Sequence, residues 1–166
     1  ASEEPLALGF FLAPELEAGG SFTGGAQRGR SVDGNSAGAD PAAIHRLDEG
    51  DRLFKSRAQD YMTSLEGARG IYEALQDDPV LGYEACWKLS KVHFLMGDTG
   101  GQKNVRLQKF TEGEKAARRA LARQESGAEG QFWLGANLGG QADVKSALSA
   151  AGLVKDVAAD EYDARL

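Results

Sequence analysis

Cysteine, histidine, net positive charge and long apolar runs are all scarce in this chain, and each scarcity closes off a class of function. A single cysteine, Cys86, among 166 residues excludes an internal disulfide and any multi-cysteine metal site. Set between Ala85 and Trp87 in a helical pattern, it reads as a small core hydrophobe. The apolar run from Leu6 to Ala13 falls far short of the ~20 residues a membrane helix needs, so no transmembrane span is expected. Lysine and arginine number 19 against 25 acidic residues, for a formal net charge of −6. Nucleic-acid binders need clustered basic residues to displace counterions from phosphates, so no nucleic-acid partner is expected.

What remains is ordinary globular material. Hydrophobic residues make up 42% and charged residues 27%, enough to build one compact domain or a short helical array carrying an extra arm. The opening Ala1-Ser-Glu-Glu-Pro5 reads as the mature end left by signal-peptide removal, which makes an exported, periplasmic or extracellular protein the expectation; a cleaved tag or a trimmed chain gives the same start.

The chain divides near residue 40. Residues 1–40 carry the glycine pairs Gly19-Gly20 and Gly24-Gly25 and the polar run from Gly29 to Gly38, the composition of an irregular, extended arm. From Pro41 to residue 166 the pattern is helical. Asp40 is a candidate N-cap before a proline in the first turn, and Ile44, Leu47, Gly50, Leu53 and Phe54 share one face of the first helix. A second helix is expected from about Asp60 to Gln76, with Leu65, Ala68, Ile71, Tyr72 and Leu75 at helical spacing, stopped by Asp77-Asp78-Pro79. The third runs from about Leu81 to Met96 and ends at Gly97, a residue suited to a left-handed cap. Its apolar arc is wide, and Glu84, Lys88 and Lys91 mark its wet side. A fourth, reaching about Arg123, lines up Phe110, Gly113, Ala117, Ala120 and Leu121. A fifth spans about Ala128 to Leu138, a sixth breaks at Gly152, and Leu153 to Tyr162 adds a last segment. No stretch alternates at period two, so no sheet is expected: the fold class is all-α, in antiparallel hairpins.

Internal repetition carries the most information. Glu66-Gly-Ala-Arg-Gly-Ile-Tyr-Glu-Ala-Leu75 and Glu112-Gly-Glu-Lys-Ala-Ala-Arg-Arg-Ala-Leu121 both read Glu-Gly, six residues, Ala-Leu. Each precedes an aromatic-rich helix, Tyr83-Glu-Ala-Cys-Trp-Lys-Leu-Ser90 in one case and Ala128-Glu-Gly-Gln-Phe-Trp-Leu-Gly135 in the other. Gly67, Ala74, Gly113 and Ala120, with Ser90 and Gly135 opposite, are small enough to let paired helices approach closely.

These features resemble the tetratricopeptide repeat superfamily. Tyr83 to Asp98 resembles a first helix ending in Gly-Asp, with Leu89-Ser90 in place of its Leu-Gly pair. Phe110 to Leu121 resembles the second helix, Leu134-Gly135 opens the next repeat, and Pro79 stands where the family closes a repeat with proline. The chain departs from the pattern at Thr99 to Lys109, which resembles an insertion, at Glu125 in the second closing-proline position, and at Gly67 and Gly113 in place of alanine. Within the superfamily, Ala128-Glu-Gly-Gln-Phe-Trp-Leu-Gly-Ala-Asn-Leu-Gly139 is similar to the periplasmic T-component proteins associated with TRAP-type transporters. The likeness covers residues 45 to 158. It implies a short α-solenoid with a concave helical surface for a protein or ligand.

Candidates for chemistry fall to plainer readings. Cys86 and His93 project near one another, but no third group or oxyanion site is evident around them, and His93 reads as a packed core histidine. Gly139-Gly-Gln-Ala-Asp-Val-Lys-Ser146 lacks the glycine before lysine and the preceding strand of a phosphate loop. Asp33 to Asp40 misses the spacing and closing glutamate of a calcium loop, and Glu112 with Glu114 read as solubilising charges. No catalytic, cofactor or metal set is therefore expected. Partner contact falls instead on Trp87, Phe94 and Trp133, which with Phe132 can line a groove for an apolar ligand or a partner helix, on Arg118 and Arg119 in a local basic face, and on the apolar cluster Leu6, Leu8, Phe10, Phe11 and Leu12. Two functions fit: a non-enzymatic module docking another protein, such as a transporter solute-binding component, or an assembly subunit held by its N-terminal arm to further copies of itself or a membrane complex.

Overall fold

The computed structural model describes residues 38–163, with side chains as far as Ala151. The arm before residue 38, with Leu6, Leu8, Phe10, Phe11 and Leu12, lies outside the described residues. Every regular element among the described residues is helical, and five α-helices pack against one another as an all-α fold.

Local chemistry sets the helix ends. Asp40 accepts from the Ala42 amide at 3.0 Å and opens α1, Pro41–Lys55, with proline in the first turn where its missing N–H leaves no gap. After a 3-10 turn at Ser56–Ala58, Asp60 caps α2, Tyr61–Leu75, by accepting from Thr63. Asp78 then accepts from the amides of Val80 and Leu81 at 2.8 and 2.7 Å, which turns the chain across Pro79 into α3, Gly82–Asp98. Gly100 and Gly101, at φ +91° and +96°, supply the left-handed backbone that leads into α4, Lys103–Arg123. The last helix, α5, runs unbroken over Ala128–Asp163.

Consecutive helices run antiparallel, and small residues mark where they meet. Gly50 of α1 faces Ile71 and Tyr72 of α2, while Leu53 faces Gly67. Ser90 of α3 donates to the Gly113 carbonyl of α4 at 2.7 Å, and the Phe110 ring fills the space that Cβ atoms on Gly97 and Gly140 would need. Between the helices lies a core of Leu47, Leu65, Tyr72, Leu75, Leu89, Val92 and Met96; each such side chain contributes about 1.5–3 kcal/mol by leaving water.

Several expectations from sequence are corrected here. The fifth helix, the sixth and the last segment are one helix. No proline interrupts it, and an interior glycine costs only about 1 kcal/mol against alanine. Gly97 is not the left-handed cap of α3; it lies inside the helix and admits Phe110, the positive φ falling at Gly100 and Gly101. Ala74 is exposed and Gly135 has open space above it, so neither mediates helix approach, whereas Gly67, Gly113 and Ala120 are packed. Lys88 is buried rather than wet, because carboxylates from two helices meet its ammonium. Glu112 and Glu114 are half-buried and engaged with neighbouring side chains rather than merely solvated.

Candidate functional site

Residues Trp87, Lys91 and Phe94 stand four and three positions apart on α3, a spacing that aligns them on one helical face. Neighbouring helices extend this face on both sides. From α1, the Phe54 ring lies with its centroid 4.5 Å from Lys91 Nζ, and from α5, the Trp133 ring lies 5.6 Å from the same nitrogen. The lysine thus sits between two aromatic rings, which attract its positive charge. Phe94 packs on Trp133 at 5.8 Å between centroids and on Phe110 at 5.6 Å. Phe132 stacks edge-on against Trp133 at 4.9 Å and remains 54% exposed. The result is a partly wet aromatic band with the Lys91 ammonium between two of its rings, crossing α1, α3 and α5.

Beside the band, Lys88 Nζ reaches both carboxylate oxygens of Asp51 at 2.7 Å and Glu84 at 2.6 Å. Tyr72 donates its hydroxyl to Asp51 at 2.8 Å. One charged cluster therefore ties α1, α2 and α3 together, and Lys88 Nζ lies 5.5 Å from the centroid of the Trp87 ring.

Of the side chains picked from sequence, Trp87, Phe94 and Trp133 fall on this band. Arg118 and Arg119 do not join it. Arg118 bonds Glu114 at 2.8 Å, and Arg119 bonds Gln76 and Asp77 at 2.8 and 2.6 Å. Next to it Arg123 donates to the carbonyls of Gln76 and Asp78, so the pair clamps the turn between α2 and α3 and satisfies carbonyls at the end of α2. A shallow open depression lined by Arg118, Leu121, Ala122, Arg123 and Glu125 lies beside them. Phe54 and Lys91 are the members that sequence reading missed. Lys91 was legible through its spacing from Trp87 and Phe94; Phe54 was not, since its contact is long-range.

The titratable groups follow their surroundings. Burial pushes the Cys86 thiol up, and its sulfur faces the Gln76 carbonyl at 3.6 Å rather than His93. Burial pulls His93 down to about 4; its Nδ1 lies 3.3 Å from Glu112 without hydrogen-bond alignment. Cys86 and His93 thus have separate partners. Tyr83 is pushed up to about 12 by burial and by donating to Glu129. Among the described residues no group of three or more histidine, cysteine or carboxylate side chains is placed to hold a metal ion, and no helix is long and apolar enough to cross a membrane.

Comparison of the chain with protein-family models, with curated proteins and with solved structures finds no match.

Proposed function

We propose that this chain is a non-enzymatic interaction module of tetratricopeptide type that docks a partner protein on the face shared by α1, α3 and α5. The observation that carries the reading is the exposed Phe132 beside Trp133, Phe94 and the ring-flanked Lys91, since aromatic side chains bordering a cation are the usual anchors of protein interfaces. The order α1/α2, α3/α4 and then α5, each helix antiparallel to the next, supports a short solenoid whose odd-numbered helices form one layer. An exported setting and a transporter solute-binding component as partner belong to the same proposal.

Site-specific photocrosslinking tests it. A benzophenone side chain at position 132, in the protein kept in its native host compartment, should capture a discrete partner band containing a solute-binding component. The same probe at Lys115, an exposed site on α4, should not. Equal crosslinking from both positions, or none from 132, removes the basis for the reading.

A further inference from the structure

Helix α5 is held differently from the other four. Among the described residues, none of it belongs to the apolar core that joins α1 to α4, and Val144 is the one apolar side chain that it buries fully. Its other fully enclosed side chains are two amides, Asn137 and Gln141. Gln141 donates to Glu114 of α4 at 2.6 Å, and Gly140 makes room for the Phe110 ring. Apolar contact of that kind attracts without direction. A ring seated in a glycine slot limits sliding but leaves small rotations of the helix open.

Hydrogen bonds do have direction, and Asn137 makes three. Its Nδ2 donates to Ser90 Oγ at 3.0 Å and to the Ser90 carbonyl at 3.4 Å, both on α3, and to the Trp133 carbonyl one turn back on α5 at 2.8 Å. Ser90 Oγ in turn donates to the Gly113 carbonyl of α4, and Asn137 Oδ1 occupies the space that a Cβ on Gly113 would need. One residue from each of three helices therefore meets at a single buried junction, which only glycine at 113 admits. Stability alone does not account for it. Oδ1 finds no donor among the described residues, and a buried acceptor left so is less favourable than an apolar group of the same shape. Buried polar groups of this kind can instead select one arrangement among several. The arrangement selected here includes Trp133. Ser90 stands four residues before Phe94, and Asn137 four after Trp133, so the junction lies within one turn of the contact between the Phe94 and Trp133 rings.

We propose that Asn137 is the positioning residue of the aromatic band: through Ser90 and Gly113 it fixes the rotation of α5 that sets Trp133 against Phe94 and Lys91. Its consequence for binding rests on the reading of the band as a docking face; the placement of Trp133 needs no partner.

The indole N–H resonances of the full chain in heteronuclear NMR test it, that of Trp133 being assigned by its loss in Trp133→Phe. Asn137→Leu keeps the branched shape of the side chain and removes its hydrogen bonds. With helix content retained by circular dichroism, the Trp133 resonance, single in the unsubstituted chain, should split or broaden, and crosslinking from position 132 should fall with it. Ser90→Ala, which removes one acceptor, should act in the same way. Gln141→Met removes the other buried amide of α5, eight residues beyond Trp133, and should leave the resonance single. A single, unshifted Trp133 resonance in both Asn137→Leu and Ser90→Ala overturns the proposal, as does an equal disturbance by Gln141→Met. Loss of helix content in both junction variants also overturns it, by assigning the junction to folding as a whole. Absence of crosslinking in the unsubstituted chain, with Trp133 still disturbed by Asn137→Leu, supports the positioning role and removes the docking reading alone.

Discussion

At the scale of single residues, burial without a matched charge decides the most. His93 sits on α3 beneath α4, facing Glu112 and Lys109 of α4 and Arg69 and Glu73 of α2, and desolvation holds its proton affinity far below that of an exposed imidazole. The folded form therefore disfavours protonation that the unfolded chain accepts near pH 6.5. Its contribution to stability is complete above about pH 6.5 and is lost as the pH falls toward 4. Urea denaturation should show stability declining across that window, by at most about 3 kcal/mol from this group, and His93→Gln should flatten the decline. An unchanged pH profile in the variant would mean that the ring is wetter than its packing indicates. Lys88 teaches a related lesson about legibility. Its position on the helical wheel reads as solvated, and nothing local contradicts that, because the carboxylate that draws it inward, Asp51, is on another helix.

Among the elements, adjacent glycines of α5 should respond in opposite directions. Gly139 has open space above it, so Gly139→Ala should stabilise by about 0.5–1 kcal/mol through helix propensity alone. In Gly140→Ala the new methyl would lie 2.6 Å from the Phe110 ring, and a loss of about 1–3 kcal/mol is expected. Thermal melts of the two variants check this directly; a shared sign would break the assigned register between α4 and α5. Ala120→Leu belongs to the same class, since Ala120 is fully buried beside Gly130, and should also lower the melting temperature. The helices themselves were legible from apolar spacing, from the Asp40 cap and from Pro79. The run after Ala128 was not, because its glycines read as stops when some are clearances for a neighbouring ring. Of the aromatic band, the α3 and α5 members could be found from spacing, but Phe54 and the roles of Arg118 and Arg119 depend on contacts between distant parts of the chain.

For the whole molecule, contact between helices is densest at α3 with α4. Native-state hydrogen exchange should therefore be slowest in α3 and α4 and fast in α5 from Ala147 to Ala151, where every side chain is exposed and the Lys103 bond to the Ala147 carbonyl is a long-range tie among the described residues. Uniform protection along α5 would show that its outer turns are held by something else. Phe132→Ser, by contrast, should leave global stability within about 0.5 kcal/mol, as for other surface changes, while abolishing co-purification of the partner that position 132 captures.

Phe110 enters notches left by Gly97 on α3 and Gly140 on α5 at once. A ring lodged in two glycine slots acts as a detent: α4 cannot slide a fraction of a turn along either neighbour without driving the ring into backbone or side chain. Relative motion of these three helices is thereby restricted to small rotations about Phe110 or to full withdrawal of the ring, so a signal arriving at α5 would reach α3 as a tilt and not as a shift in register.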